Sequence, residues 1–167
     1  ELVARVHVVK SGSVKSPISC RQCENAPCAR ICPTGALQQD DGIVTMNAQI
    51  CSGCQLCIMA CPYGAISLES IGLPSATSET MAQKSMRSVA VRCDLCKDWM
   101  KREGKSVPAC VEACGIHAMH WVDYDNPTEK TKPLIEKAKA MNAAAGTQPK
   151  VRYIGKHLDV TKTKPRV

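Results

Sequence analysis

Apolar residues occur along this chain in short runs between polar turns, a pattern typical of short strands rather than long helices. Residues 1–10 are rich in β-branched side chains, which favour extended backbone. The pattern predicts a strand over 1–10, a hairpin over 37–46 that turns at Asp41 and Gly42, the start of a matching hairpin over 66–69, and a strand over 89–91.

Polar stretches separate these elements and predict loops. Residues 11–19 form a polar approach to the first cysteines, and residues 70–88 are rich in Ser, Thr, Met and Gly. Long loops of the second kind are often functional, so contact with a partner subunit and a plain loop both stay open. Residues 97–105 are mostly charged and predict a surface loop.

The chain beyond Asp125 has no cysteine. Pro133 predicts the start of a helix that runs to about Ala145, with Gly146 as its stop signal. Residues 151–154 predict a strand, and residues 156–167 are basic and nearly free of apolar side chains. Such an extension suits a subunit that grips a larger partner.

Candidate chemistry is concentrated in the cysteines. Residues 51–62 carry four cysteines at spacings of two, two and three, and proline follows the last: Cys51, Cys54, Cys57, Cys61 and Pro62. In bacterial ferredoxins the first three thiolates of such a run bind one [4Fe-4S] cluster and the fourth binds another. A zinc site would need only paired Cys-x-x-Cys units and has no use for the Cys-Pro ending.

An internal repeat supplies the second site that this fourth cysteine requires. The upstream run has the same form with a longer middle gap, and both runs continue as Cys-Pro-x-Gly-Ala. If the runs exchange their fourth cysteines, one cluster takes Cys20, Cys23, Cys28 and Cys61, and the other takes Cys51, Cys54, Cys57 and Cys32.

A third set of cysteines completes the count: Cys93, Cys96, Cys110 and Cys114. Twelve cysteines divide into three sets of four with none left over, so three [4Fe-4S] clusters are predicted. Gly115 replaces the proline, and thirteen residues separate the two pairs. This spacing fits zinc as well, so zinc stays open as the alternative at the third site, although two neighbouring clusters favour iron.

Composition points the same way. The chain has no phenylalanine, two tryptophans and three tyrosines, although aromatic side chains usually dominate core burial. We therefore expect clusters to fill the core and the apoprotein to be largely unfolded. The apolar shell predicted around the clusters consists of Ile31, Leu37, Ile50, Leu56, Ile58 and Ile66.

The formal charge of +7 would suit a nucleic-acid partner, but the clusters change this count. Each oxidised cluster with its thiolates carries about −2, so three clusters bring the protein near +1. No basic stretch is interleaved with stacking aromatic residues either. A disulfide framework is disfavoured because it gives the Cys-Pro endings no role.

The sequence has no apolar run of about eighteen residues and no visible signal peptide, so a cytoplasmic location is expected. Cubane clusters imply a reducing or anaerobic compartment. The chain begins at Glu1 rather than methionine, so removal or omission of upstream residues stays open.

Three stretches resemble the electron-transfer subunits of the polyferredoxin-like family: the Cys20–Cys28 run, the central run, and Arg92-Cys93-Asp94-Leu95-Cys96. The resemblance covers about residues 15–122. Members of that family serve molybdenum and tungsten oxidoreductases, formate dehydrogenases and hydrogenases. The resemblance implies an α+β, bacterial ferredoxin-like fold, in which two ββ units and short helices are related by a pseudo-twofold axis.

One feature departs from the family pattern, which has four cysteine runs, because the first run is missing here. Either the chain is a three-cluster member or an N-terminal piece is absent. The reduced set resembles the small subunit paired with tungsten enzymes of the aldehyde oxidoreductase type, for example class II benzoyl-CoA reductase.

The predicted organisation has five parts: a strand and loop over 1–19, a two-cluster core over 20–69, a linker over 70–92, a third cluster-binding segment over 93–124, and an extension for partner docking over 125–167. No catalytic constellation is visible, so catalysis is expected on a larger tungsten- or molybdenum-pterin subunit. A second redox partner would exchange the electrons. A free, diffusible polyferredoxin and a zinc-stabilised interaction module are the alternatives.

Overall fold

A computed structural model describes residues 4–11, 14–40, 42–73 and 85–155. Its elements are short, and the longest described helix, α3, has seven residues. In chain order they are β1 His7–Ser11, β2 Val14–Ile18, α1 Pro27–Arg30, β3 Leu37–Asp40, β4 Ile43–Met46, α2 Leu56–Ala60, β5 Ser67–Leu73, β6 Ser85–Val91, α3 Lys97–Glu103, α4 Ala109–Glu112, α5 Lys132–Lys137, β7 Lys139–Ala140 and β8 Arg152–Tyr153.

The described strands form four separate antiparallel pairs: β1 with β2, β3 with β4, β5 with β6, and β7 with β8. Short helices α1 and α2 lie between the pairs along the chain and contact each other. Short helices with small antiparallel strand pairs are consistent with the ferredoxin-like α+β fold expected from the sequence.

The hairpin predicted over 37–46 is confirmed. Asp40 pairs with Ile43, which leaves a two-residue turn between β3 and β4. Gly42 has a φ of +69°, the left-handed conformation that such a turn demands. Asp41, the other predicted turn residue, lies outside the described residues.

The second hairpin is also present and is longer than predicted. β5 and β6 pair from Ser67 with Val91 to Leu73 with Ser85. Residues 70–73 and 85–88 are therefore strand, although the Ser-, Thr-, Met- and Gly-rich composition of residues 70–88 predicted a loop. The rest of that predicted loop, residues 74–84, lies outside the described residues.

The N-terminal strand has a partner that the sequence did not predict. β2 occupies Val14–Ile18, within the stretch expected to be a polar loop, and pairs with β1 from Ser11 to His7. The loop prediction was wrong because backbone pairing can make a strand from polar residues. Residues 1–3 of the predicted strand lie outside the described residues.

Residues 97–105 were predicted as a loop, and this was wrong as well. α3 covers Lys97–Glu103 and ends at Gly104, which has a φ of +63°. The N–H of Lys105 donates to the carbonyl of Met100 and closes the final turn. Glycine in this conformation is a common helix terminator. The charged composition of this segment led to the loop prediction, because the helix buries none of its residues and so has no buried apolar face to reveal it.

The helix predicted from Pro133 to about Ala145 ends much earlier, at Lys137. Ala138 is extended, and Lys139 and Ala140 pair with Tyr153 and Arg152 instead. Tertiary pairing therefore overrides the helix propensity of the alanines. Gly146 does act as a stop, with a φ of +65°, but it ends the separate 3₁₀ turn Ala143–Ala145.

The core is built from apolar side chains and cysteine sulfurs. Of the predicted shell, Leu37 and Ile66 are buried and Leu56 and Ile58 are half-buried. Ile31 and Ile50 are 43% and 45% exposed, so their assignment to the shell was wrong. The main hydrophobic cluster contains Cys23, Ala26, Cys28, Ala36, Leu37, Val44, Cys51, Cys57, Tyr63, Ala65, Ile66, Val89, Ala90 and Met141.

Within the described part of the chain, no helix combines the length and the apolar character needed to cross a membrane.

Candidate functional site

Four cysteines from the two different runs surround one small cavity, called site I here: Cys20, Cys23, Cys28 and Cys61. Val44, Tyr63 and Ile66 line the same cavity, together with the charged residue Arg21. Cys20, Cys23 and Cys28 are buried and Cys61 is half-buried. The cavity is therefore lined by sulfur and apolar groups and is largely shielded from water.

Local sequence explains how these cysteines reach the cavity. Pro27 begins α1, where its missing N–H costs nothing, and so places Cys28 in the first turn. Cys61 directly follows α2, and its N–H donates to the carbonyl of Ile58 at 3.3 Å. The second run thereby delivers its last sulfur to the cavity of the first run.

The reciprocal set lines a second cavity, called site II here: Cys32, Cys51, Cys54 and Cys57. Cys57 lies on α2, and Gln55 precedes that helix with a φ of +65°. Cys51 and Cys57 are buried, whereas Cys54 is exposed. Site II therefore reaches solvent through one of its cysteines.

Gly53, inside this loop, lies directly against β6. A Cβ atom at this position would stand 2.6 Å from the carbonyl oxygen of Ser88, and the residue has a φ of +70°. Both the contact and the conformation require glycine. The sheet thus holds the loop of site II in place through backbone contact.

The two Cys-Pro-x-Gly segments form matching turns. The N–H of Gly35 donates to the carbonyl of Cys32, and the N–H of Gly64 donates to that of Cys61, both at 3.3 Å. The two glycines have φ values of +66° and +59°. The sequence repeat is therefore also a repeat of backbone geometry.

The third set of cysteines is called site III here: Cys93, Cys96, Cys110 and Cys114. Cys93, Cys96 and Cys114 are half-buried, and Cys110 is exposed. Burial raises the pKa of the Cys93 thiol, and the nearby Cys20 and Cys110 thiols raise it further. Cys93 lies beside site I, because the Arg92 guanidinium donates both to the sulfur of Cys20 and to the carbonyl of Cys93.

All twelve cysteines are within the described residues and none forms a disulfide. Burial raises the pKa of Cys28 to about 12 and raises those of Cys23 and Cys57. Burial alone would also raise the pKa of Cys32, but hydrogen bonds from Leu37 and Thr34 lower it overall. Buried thiols of this kind become thiolates when a metal ligates them, with release of a proton.

Sequence reasoning missed several buried polar residues beside site I: Arg21, Gln22, Arg92 and Thr147. Gln22 accepts a hydrogen bond from the N–H of Val44 at 2.9 Å and donates to the carbonyl of Cys93 at 3.0 Å. It therefore links the first cysteine run, the first hairpin and site III. Three of the four residues directly adjoin predicted ligands in sequence, which was the available signal.

Residues 139–153, called the C-terminal strap here, pack back onto the first cysteine run. The N–H groups of Glu24 and Asn25 donate to the carbonyls of Gln148 and Thr147 at 3.0 and 3.1 Å. The hydroxyls of Tyr63 and Thr147 form a buried hydrogen bond. The strap therefore covers the side of site I that carries Cys23.

The donor sets of sites I and II fit four-iron clusters, since each supplies four cysteine sulfurs around one cavity. Thiolate is the usual ligand of such clusters. Among the described residues no three His, Cys, Asp or Glu side chains stand as ligands of a single metal ion.

Comparison with known proteins agrees with this chemistry. A family model described as the 4Fe-4S dicluster domain matches residues 13–124. The chain belongs to this family. The dicluster domain thus takes in all twelve cysteines, together with Arg21 and Arg92, and ends before the C-terminal strap. The resemblance to 4Fe-4S electron-transfer proteins is confirmed, and iron–sulfur clusters are supported as the cofactor.

Three curated relatives of this dicluster protein illustrate the match. An iron–sulfur protein of Rhodospirillum rubrum is 47% identical over 127 residues, 74% of this chain and 63% of the relative. The electron transport protein HydN of Escherichia coli K12 is 38% identical over 119 residues, 71% of this chain and 65% of the relative. Hydrogenase-4 component A of Escherichia coli K12 is 30% identical over 167 residues, 87% of this chain and 79% of the relative. The chain therefore spans less than two thirds of the first two.

Proposed function

We propose that this chain is an electron-transfer subunit that holds three [4Fe-4S] clusters. Through them it passes electrons between a catalytic oxidoreductase subunit and another redox partner. One observation carries the proposal. Two cavities are each lined by four cysteines, three from one run and one from the other. Crossed ligation of this kind brings two clusters close together, as electron transfer between them requires.

The proposed ligands are Cys20, Cys23, Cys28 and Cys61 at site I, Cys32, Cys51, Cys54 and Cys57 at site II, and Cys93, Cys96, Cys110 and Cys114 at site III. When bound, each cluster accepts and returns one electron. The chain itself supplies thiolates, positions Cys28 on α1 and Cys57 on α2, and excludes water with Val44, Tyr63 and Ile66 at site I. Burial and hydrogen bonds to sulfur are the means by which a protein tunes such a centre.

Site III has two candidate occupants, a third cluster and zinc. We place a third cluster there rather than zinc, because Cys93 adjoins site I through the hydrogen bond from Gln22. A cluster at this position would extend the electron path, whereas zinc would interrupt it. Iron and zinc analysis of the loaded chain distinguishes the two.

The partner proposed is a larger tungsten- or molybdenum-pterin subunit, for example one of the aldehyde oxidoreductase type as in class II benzoyl-CoA reductase. A hydrogenase or formate dehydrogenase complex is the second candidate, and the name of the relative hydrogenase-4 component A favours it. We propose that residues 125–167 contribute to docking of this partner.

We also propose that residues 20–69 form a two-cluster core with a pseudo-twofold and residues 93–124 the segment of the third cluster; residues 70–92, expected as a linker, contribute β6 to the hairpin β5–β6 of that core. The matching turns at Gly35 and Gly64 support the twofold. The hairpins β3–β4 and β5–β6 that follow those turns support it as well.

Purification of the native complex followed by mass spectrometry tests the partner. We expect a pterin-dependent catalytic subunit to accompany the chain. A monodisperse chain that travels alone and accepts electrons from many enzymes would support the free polyferredoxin instead.

A further inference from the structure

Two arginines are buried beside site I. Arg21 is 1% exposed and Arg92 is 3% exposed, although arginine is almost never fully buried without a paired charge. In the described part of the chain, no carboxylate forms an ion pair with either of them. A buried cation without a counter-ion is costly, so each of these arginines calls for an anion nearby.

The surroundings of Arg21 are neutral. Its guanidinium donates to the hydroxyls of Ser19 and Tyr153 and to the sulfur of Met141. It also stacks near the rings of Tyr63 and Tyr153, with centroid distances of 5.8 and 4.7 Å. Its Nε is buried and has no hydrogen-bond partner among the described residues. Arg21 itself lines the site I cavity.

Arg92 donates a hydrogen bond to the sulfur of a proposed cluster ligand, Cys20. Its guanidinium donates to the Sγ of Cys20 at 3.8 Å, to the carbonyl of Cys93 at 2.7 Å, and to the carbonyl of Val44. As with Arg21, its Nε is buried and has no partner in the described residues. The sulfur of Cys20 is the only group among these three acceptors that becomes fully anionic on binding metal.

Site II offers a natural comparison, because none of the described residues that line it carries a charged side chain. Its Cys32 accepts a hydrogen bond from the N–H of Leu37 at 3.5 Å and lies 3.6 Å from the hydroxyl of Thr34. Those donors are neutral, and hydrogen bonds from charged donors are roughly twice as strong. The two cavities therefore differ in the buried cations beside site I, and also in the exposure of Cys54 at site II.

We propose that Arg21 and Arg92 are the counter-charges of the cluster at site I and raise its reduction potential, while leaving the cluster at site II unaffected. This inference rests on the proposed ligand sets. Reduction adds one electron from the donor and makes the cluster more negative, with no bond formed or broken. A buried cation stabilises the more negative state, because charges interact strongly where water is excluded.

The test is a potentiometric titration of the full chain, loaded anaerobically with iron and sulfide and followed by paramagnetic resonance. Cys54→Ser changes a site II ligand and so identifies the site II signal. In Arg92→Gln and in Arg21→Gln we expect the equilibrium constant for reduction at site I to fall at least tenfold, about 59 mV for one electron. The site II signal should keep its potential.

Two further variants separate charge from structure. Arg30 is exposed at the end of α1, two residues from Cys28, so Arg30→Gln removes a nearby charge that water already screens. We expect it to change the equilibrium constant less than twofold. Arg92→Lys keeps the charge and should hold a cluster at site I with a potential close to that of the unaltered protein.

A shift below twofold at site I in both glutamine variants, with iron content unchanged, overturns the inference. If the glutamine variants lose the site I cluster, Arg92→Lys decides. Loading with the original potential supports a counter-charge, and loss of the cluster there too shows a purely geometric role. A separate variant tests the proposed ligand sets on which this inference rests. If Cys61 is not a ligand of the site I cluster, Cys61→Ala will leave the site I signal intact.

Discussion

At the scale of single residues, Gly53 shows most clearly how the backbone constrains a cluster site. Its left-handed conformation and its approach to Ser88 are independent demands, and both exclude a side chain. Gly64 shares the first demand, with a φ of +59°, but has open space around its missing Cβ. Alanine substitutions at Gly53 and Gly64 therefore distinguish the cost of a strained backbone from the cost of a steric clash.

We expect Gly53→Ala to lower the stability of the loaded protein by about 2–4 kcal/mol, because the methyl group would displace β6 as well as strain the backbone. Gly64→Ala should cost only about 1–2 kcal/mol, from strain alone. Thermal unfolding midpoints of the two loaded variants test this difference. Equal losses would show that the collision with Ser88 is relieved without cost.

At the scale of elements, the sequence repeat assigns the fourth cysteine of each run to the other run's site. Cys61 follows α2 yet lines the cavity that contains Cys28 of α1, and Cys32 does the reverse. Helices α1 and α2 contact each other, so the fourth cysteine of each run has only a short distance to cross to the other run's cavity.

Cys61→Ala should therefore damage the cluster at site I far more than the one at site II. Cys32→Ala is the matched control and should show the opposite pattern. Paramagnetic resonance of the reduced, anaerobically loaded variants measures each cluster. Equal damage to both clusters in either variant would argue against crossed ligation.

One buried contact of the C-terminal strap joins the hydroxyls of Tyr63 and Thr147. Thr147→Val should leave the tyrosine hydroxyl unsatisfied and cost about 1–3 kcal/mol. Tyr63→Phe combined with Thr147→Val should cost less than the two single changes together, because the second change removes the orphaned group. Additive losses in a denaturant titration of the loaded variants would mean that the two hydroxyls do not interact.

At the scale of the whole molecule, the described core buries few large apolar side chains. The buried cluster contains one aromatic residue, Tyr63, and four cysteines. We expect a chelator that strips iron under anaerobic conditions to abolish most secondary structure, since loss of the metal removes the cross-links between the two cysteine runs. Circular dichroism before and after stripping measures this, and retention of the native spectrum would contradict it.

Cysteine spacing was enough to anticipate which sulfurs line sites I and II, because spacing within a run directly limits where the chain can go. Arg21 and Arg92 escaped prediction because arginine is normally exposed and their burial depends on residues far along the chain, such as Tyr153 and Val44. The strap escaped for the same reason. Pro133, which precedes the strap, and the alanines within it together predict one long helix. Pairing of β7 with β8 in the folded chain instead ends α5 at Lys137.

We propose that the twelve cysteines hold three [4Fe-4S] clusters. Iron, sulfide and zinc analysis of the anaerobically purified chain tests this most directly. We predict a brown protein with about twelve irons, about twelve sulfides and no zinc per chain. About eight irons with one zinc would contradict the third cluster, and a colourless, iron-free protein that keeps its fold would contradict the whole account.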